Sequence, residues 1–496
     1  SRPGMISFQM PSKNIWSSNS SWREEGARDP WPFYRIGTEE GSGEHGWPWP
    51  GVGWLNRKKQ KGYHEGVGRD FKFYMYTEGV YDMRRAEACY RKRMQLDSDW
   101  HNLDRNVRLM QREHFTELWL LRALRASPRR TLVASEADLF FIGYAPCLAH
   151  FVGPCEGVKS RPEWEREIAA ELPRSEWWRR RGGRDHFFIN MKYAIDIETS
   201  LMKVIDGRAV VLTIDRDYWL LMKFLRNSYE RGSLLIMPYV SSTFLDVADD
   251  PPLDHREKDP STWYFFRGTM KRKHGGLARP MMFDMQKLMN GADFKGVVLN
   301  KKDNSIFGIL NRTSVQMRRS SVCLCPEGDS PTSLRVFEAL AAGCVPLIMV
   351  DRISIATNLP FPSLIDWDKI AFFTHPLGYI NNITTLVSAI EDTVGMGAGK
   401  DKLARLDEMR REGRKAFNRY FSYLRNAEGV AEAMLFEAWV QVQRKGAVQG
   451  PYFNKKAAEK AEKDEFLLGK VKPKWGGKRF PGSTKGDPFG KKAKEK

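Results

Sequence analysis

The chain predicts an α/β protein of two domains, each built on a parallel sheet, and three observations carry that prediction. Short apolar runs without alternation, such as CVPLIMV at residues 344–350, have the pattern of strands buried on both faces. Between them lie helical stretches, so strands and helices follow one another in the order that crossover helices on a parallel sheet require. The third is a charged, proline-rich stretch at residues 246–260 (DVADDPPLDHREKDP) that has no period and divides the chain into two such series.

Residues 1–68 read as an irregular extension, because Trp, Gly and Pro recur in WPFYRIG and HGWPWPGVGW without helical or strand period. Docking of this arm through residues such as Trp49 and Trp54 is the plainer reading, with sugar stacking as the alternative. The first domain, residues 69–245, opens with FKFYMY at 71–76, an alternating aromatic strand. A helical pattern follows Asp82, and His114–Ala126 is an apolar helix closed by Ser127 and Pro128. SEADLFFIGY then gives a strand beginning near Leu139. Gly182 and Gly183 break a helix before HFFIN, a strand with Asp185 and His186 at its start. AVVLTI from Ala209 and SLLIMPYV from Ser233 complete this sheet.

The second domain, residues 261–445, begins with WYFF as a buried strand, a basic glycine-bearing turn RGTMKRKHGG, and a helix from about Leu277. GVVLN at 296–300 is a further strand, and Ser305–Arg319 a helix. Lys400–Arg444 reads as one or two long amphipathic helices. From residue 446 onward the chain is a basic, flexible tail.

The stretch SSVCLCPEGDSPTSLRVFEALAAGCVPLIMV at 320–350 concentrates the chemistry. It reads as strand, loop, helix and strand, with Ser330 as a cap, Pro331 in the first helical position and Gly343 at the helix end. Arg335 and Glu338 lie three apart, at the carboxyl end of a strand, where sheet proteins of this kind bind ligands. A guanidinium there can grip a diphosphate bidentately while a carboxylate accepts from sugar hydroxyls. The plainer reading is an i,i+3 surface ion pair worth about 0.2–0.5 kcal/mol.

These residues resemble the exostosin domain, glycosyltransferase family 47. The resemblance runs through Cys323, Leu324, Pro326, Gly328, Ser333, Arg335, Glu338, Ala339, Gly343, Cys344, Val345, Pro346, Asp351, Leu359, Pro360, Phe361, Asp366 and Trp367 in order. In the first half it includes Ser127, Arg130, Thr131, Glu136, Ala137, Asp138, Phe140 and Phe141, then the G-x-D-H-F-F of Gly183 to Phe188, then Pro238 and Tyr239. Phe265, Phe266, Gly268 and Arg279 match its second-half opening, so the similarity covers about residues 70–440.

The resemblance implies a GT-B fold, two Rossmann-like domains facing a central cleft, and inverting transfer of a hexosyl or pentosyl unit from a nucleoside diphosphate sugar, a UDP-sugar by expectation. It implies a glycan or glycoprotein acceptor, no metal and no separate cofactor. Donor contacts are then expected at Arg267, Gly268, Arg279, Gly328, Ser333, Arg335 and Glu338. Arg335 also acts in catalysis by stabilising the leaving diphosphate. His186 is expected at the acceptor as base or hydrogen-bond partner, oriented by Asp185, against the alternative of a buried structural histidine. Two other readings remain open: an inactive exostosin-like scaffold with protein partners in a larger assembly, and a polyanion binder acting through the tail.

The formal net charge of +19 invites a nucleic-acid reading, but residues 451–496 carry 14 Lys or Arg against 6 Asp or Glu, a net of +8. No recognition helix, zinc finger or RNP-like motif accompanies the charge, so a nucleic-acid partner is not expected. No run of about 18 apolar residues occurs. The chain opens on Ser1, and the expectation is a Golgi or other secretory-lumen protein, of type II topology, whose membrane anchor is not in this sequence. Cys147 and Cys155 flank a loop and can pair, while Cys323, Cys325 and Cys344 read as small buried hydrophobes. Sequons at Asn19, Asn311 and Asn382 are compatible with the same lumen.

Overall fold

A computed structural model of the chain describes residues 33–34, 71–93, 116–152, 155–191, 197–215, 234–246, 248–270, 278–296, 306–328, 331–350, 355, 358–379 and 381–447. Among the described residues, twelve strands form two six-stranded sheets. In chain order they are β1 (Phe33–Tyr34), β2 (Phe73–Met75), β3 (Arg130–Thr131), β4 (Leu139–Phe141), β5 (His186–Ile189), β6 (Val210–Thr213), β7 (Leu234–Ile236), β8 (Tyr264–Gly268), β9 (Ala292–Gly296), β10 (Val322–Pro326), β11 (Val345–Met349) and β12 (Phe372–Thr374). The first sheet has the order β3-β2-β4-β5-β6-β7 and is parallel throughout. In the second, ordered β1-β12-β11-β10-β8-β9, every pair is parallel except β1 with β12. The chain is therefore an α/β protein of the GT-B type, and both sheets lie in the compact unit that ends at Val442.

Burial on both faces explains the unbroken apolar strands. Every residue of β4, β5, β6, β8, β10 and β11 is buried. The helices supply the covering layers. They are α1 (Arg84–Arg93), α2 (Thr116–Ala126), α3 (Pro146–Phe151), α4 (Arg161–Glu171), α5 (Glu176–Arg181), α6 (Thr199–Ile205), α7 (Thr243–Asp246), α8 (Ala278–Gln286), α9 (Ile306–Arg319), α10 (Leu334–Ala341), α11 (Ile383–Val394), α12 (Lys400–Ala416) and α13 (Ala427–Ala447). In the second lobe, Met282 of α8, Leu386 of α11 and Leu406 of α12 pack on one sheet face with Leu324 and Leu347. On the other face, Phe337 and Leu340 of α10 pack with Cys323, Cys325 and Ile348, in a core continuous with that of the first lobe. That alternation along β10 and β11 is the period-2 geometry of a strand.

Several expectations are corrected. The extension read as irregular contributes one short strand, β1, whose Phe33 pairs with Thr374; two residues are too few to show a period. The strand placed at 296–300 is β9, Ala292–Gly296, and the remainder of GVVLN lies outside the described residues, as do Trp49, Trp54, Asn19 and the tail. The helix of the central motif starts at Leu334, capped by Ser333 rather than Ser330, because the Ser333 side chain accepts from the Arg335 amide. Its end is as expected. Gly343 has φ of +60°, and the bonds Gly343 N to Leu340 O and Cys344 N to Ala339 O close a Schellman turn.

The cysteines differ most. Cys155 pairs with Cys89 rather than Cys147, and Cys323 pairs with Cys344. Cys147 sits in the first turn of α3, buried and outside both disulfides, whereas Cys155 lies beyond that helix where it meets α1. Register explains the second pair: Val322 opposes Val345, which puts Cys323 diagonally beside Cys344 with Cα atoms 5.7 Å apart.

The long carboxyl-terminal helix ties the lobes together. From α13, Glu432 reaches Arg129 at 2.7 Å and Trp439 stacks on Phe71, both in the first lobe, while Glu437 accepts from the Ser363 amide of the second.

Candidate functional site

Parallel strands deliver their loops to the carboxyl end of a sheet, and here the loops of both lobes touch. Tyr239 follows β7 and Asp215 follows β6. Thr332 precedes α10 in the other lobe. Its hydroxyl lies 3.0 Å from the Tyr239 hydroxyl and 3.5 Å from Asp215 Oδ2, and the rings of Tyr239 and Phe337 are 6.0 Å apart. The amino end of α10 therefore sits at the seam between the lobes. Asp215 and Thr332 carried no signal in the sequence, and Tyr239 was marked only by the Pro-Tyr pair.

Three guanidiniums gather on the second-lobe side, around Arg267. Arg267 is the fourth residue of β8, 8% exposed, with its guanidinium over the Phe265 ring. Burial pushes its pKa down; Asp293 opposes that shift, while the positive charges of Arg312 and Arg335 reinforce it. Arg267 on β8 is thus within electrostatic reach of Arg312 on α9 and of Arg335 on α10. Arg312 was missed in the sequence because an arginine inside an amphipathic helix has no distinguishing mark. Repulsion of this kind is relieved when an anion arrives.

Arg335 is one-quarter exposed, and its Nη1 donates to Glu338, whose side chain is almost wholly buried. The pair is real and lies beside the seam rather than on an outer surface. Ser333 contributes its hydroxyl to the helix start, and Gly328 lies in the loop after β10.

Arg279 departs from its expected role as a phosphate contact. It is buried, and it donates to the Glu327 carbonyl through Nε at 3.2 Å and Nη2 at 3.1 Å, and to the Thr269 carbonyl through Nη1. It ties together the loops that leave β8 and β10, next to Gly268 and Gly328. A Cβ on Gly268 would lie 3.0 Å from the Phe266 ring and 3.7 Å from Arg279.

Asp185 and His186 lie elsewhere. His186 opens β5 at the amino end, opposite the carboxyl-end loops, and it is completely buried among Phe140, Tyr76 and Trp178. Its Nδ1 lies 2.9 Å from Asp185 Oδ1 and its Nε2 3.0 Å from the Tyr76 hydroxyl. Burial pushes the imidazole pKa down. Burial also raises that of Asp185, but His186 and Arg180 outweigh it and leave the carboxyl below its ordinary range. An ionised Asp185 fixes the proton on Nδ1, so Nε2 accepts from Tyr76. With both nitrogens engaged and no exposed surface, the ring is placed to organise the first-lobe core and not to meet an acceptor. This is the correction to the expected base.

One grouping among the described residues has metal-ligand composition: Asp254, His255 and Asp407. Its carboxylates are already engaged, Asp254 by Arg256 and Asp407 by His255 at 2.7 Å and by Arg410, so its negative charge is matched by the protein itself.

Comparison with known proteins decides the family. Residues 68–389 match the model of the exostosin GT47 domain. The chain belongs to the exostosin GT47 family. It is 27% identical over 321 residues to "Probable arabinosyltransferase ARAD1" of Arabidopsis thaliana, a match covering 63% of this chain and 62% of that protein. A "Probable glucuronosyltransferase" of Oryza sativa subsp. japonica is 27% identical over 293 residues, covering 55% and 62%. "Probable beta-1,4-xylosyltransferase IRX10L" of Arabidopsis thaliana is 29% identical over 303 residues, covering 58% and 67%. The matches thus span about three-fifths to two-thirds of these relatives. Glycosyl transfer is the activity their names share.

Proposed function

We propose that this protein transfers a sugar from a nucleoside diphosphate sugar, a UDP-sugar in our reading, to a hydroxyl of a glycan or glycoprotein, with inversion at the anomeric carbon. The observation that carries the proposal is the convergence of Arg267 and Arg335 at the carboxyl ends of the second-lobe strands, beside the seam with the first lobe. Relatives whose names specify arabinosyl, glucuronosyl and xylosyl transfer support the reaction class and leave a hexosyl and a pentosyl donor equally accessible.

In this mechanism the acceptor oxygen attacks the anomeric carbon from the face opposite the diphosphate. The bond to the diphosphate oxygen breaks and its electron pair leaves with the nucleotide. Arg335 exchanges part of its contact with Glu338 for the diphosphate, and Arg267 faces the same charge. Glu338, released, accepts from ribose or sugar hydroxyls. The guanidiniums carry the leaving-group charge, a role for which no metal is required. The acceptor proton goes to a carboxylate on the first-lobe side of the seam, which we assign to Asp215 in place of His186. The Golgi lumen is the compartment this reading implies, and the two disulfides support an oxidising one.

A panel of nucleoside diphosphate sugars tests the proposal. One donor should raise the melting temperature in a concentration-dependent way, and the product formed from it should carry the anomeric configuration opposite to the donor's by NMR. Retention of configuration would remove the single-displacement mechanism. Failure of every nucleotide to bind would remove the transferase reading.

A further inference from the structure

The second lobe carries a side-chain arrangement that sugar transfer does not use. Asn382 caps α11: its Oδ1 accepts from the Thr385 amide at 3.3 Å and from the Thr384 hydroxyl at 3.2 Å. Asn382 and Thr384 are both exposed, and with Ile383 between them they spell Asn-Ile-Thr. Among the described residues no hydrogen bond engages the Asn382 Nδ2.

We propose that Asn382 is a modification site and carries an N-linked oligosaccharide on Nδ2. The chemistry needs an asparagine amide with a hydroxyl two residues on, which is the arrangement present. Nδ2 bonds to the anomeric carbon of a lipid diphosphate-linked oligosaccharide. The carbon–oxygen bond to phosphate breaks, the lipid diphosphate leaves with the electron pair, and the amide gives up one proton.

The folded protein accommodates that product. A substituted amide keeps its carbonyl oxygen, so Oδ1 still caps α11 after Nδ2 is taken. Leu386, Val387 and Ile390 turn the other side of α11 into the core, which leaves the sugar in solvent. That helix covers the sheet face opposite the one under α10, so a glycan there does not overlie the Arg335–Glu338 pair. An independent observation points to the same compartment. Two disulfides close among the described residues, and the lumen that forms them is where oligosaccharide is transferred.

Asn311 provides an internal contrast. It too is exposed, but its partner Thr313 is buried in the middle of α9, and the Thr313 hydroxyl donates to the Ile309 carbonyl at 2.7 Å. Once α9 forms, that hydroxyl is withdrawn.

The experiment is secretion of the full chain from a eukaryotic cell behind a cleavable signal, followed by peptide N-glycosidase treatment in oxygen-18 water and peptide mapping. Asn382 should be recovered as labelled Asp and Asn311 as unmodified Asn. Thr384→Val keeps Asn382 and its cap to Thr385 but removes the hydroxyl, and should lose one glycan from the intact mass. Thr384→Ser should keep it. A secreted chain with unmodified Asn382, or a Thr384→Val protein of unchanged glycan mass, overturns the proposal. Neither readout depends on nucleotide binding, so its failure is separable from failure of the transferase reading.

Discussion

Glu117 shows how much one buried side chain can organise. Its carboxylate lies at 1% exposure at the start of α2 and accepts from the amides of Cys147 at 2.7 Å, Leu148 at 3.4 Å and Met191 at 3.0 Å, joining α3 to the end of β5. Burial pushes its pKa up to about 7, against the pull of those amides. A carboxyl whose folded pKa lies above its unfolded one binds more protons when folded. Its stabilisation is therefore complete below the unfolded value and is lost as pH rises through about 7. Denaturant melts should lose on the order of 2–3 kcal/mol of stability between pH 4.5 and 8 from this group. Glu117→Gln should remove that share, while Asp246, which burial raises to about 6, keeps a contribution of the same sign and Lys258, which burial lowers to about 6, one of the opposite sign above that pH. A Glu117→Gln protein with the parental slope would contradict the assignment. At the seam, Asp215→Asn should lower the transfer rate by about 10²–10⁴-fold while nucleotide binding persists, read by single-turnover kinetics beside calorimetry.

At the level of elements, the unit β10–α10–β11 is braced from three sides. Gly343 cannot carry a side chain: besides its left-handed backbone, a Cβ there would lie 2.7 Å from Pro251 Cγ. Lys258, in the interdomain crossing, is 4% exposed and donates through Nζ to the carbonyls of Arg318 at 2.9 Å and Gly343 at 2.8 Å, closing the ends of α9 and α10 together. Lys258→Met should cost about 2–4 kcal/mol in urea unfolding, because two buried carbonyls lose their donor. The Cys323–Cys344 bond closes the same unit into a loop with a sequence separation of 21. Replacing both cysteines by alanine should cost about 3 kcal/mol on the chain-entropy account, and reduction of the parent should shift its unfolding midpoint comparably. An unchanged midpoint on reduction would refute the bond's contribution. The strands and helices of this unit were legible, since apolar runs, a terminal glycine and helical spacing are local signals. Lys258 was not, because a lysine in a polar, proline-rich segment looks solvated until the fold lays it across two helix ends. The disulfides were hidden for the same reason, being set by strand register and by the meeting of α1 with the α3 exit.

Across the whole molecule, order along the chain sufficed to reveal two sheets of mostly parallel strands, because each strand–helix–strand unit announces itself locally. The candidate site was legible in part. Arg335, Glu338, Ser333 and Arg267 could be picked out because they stand at the carboxyl ends of readable strands. His186 misled, since a histidine next to an aspartate looks catalytic until its depth is known. Arg279 was chosen for its charge, and the fold spends that charge on loop carbonyls. Asp215, Thr332 and Arg312 acquire meaning only from contacts between distant segments. The most direct measurement is calorimetric titration of UDP into the parent and into Arg335→Ala, with matched circular dichroism and melting curves showing that both are folded. The account predicts binding by the parent and a loss of affinity of about 30–1,000-fold on removal of the guanidinium, equivalent to about 2–4 kcal/mol. An Arg335→Ala protein that binds UDP as the parent does would contradict it.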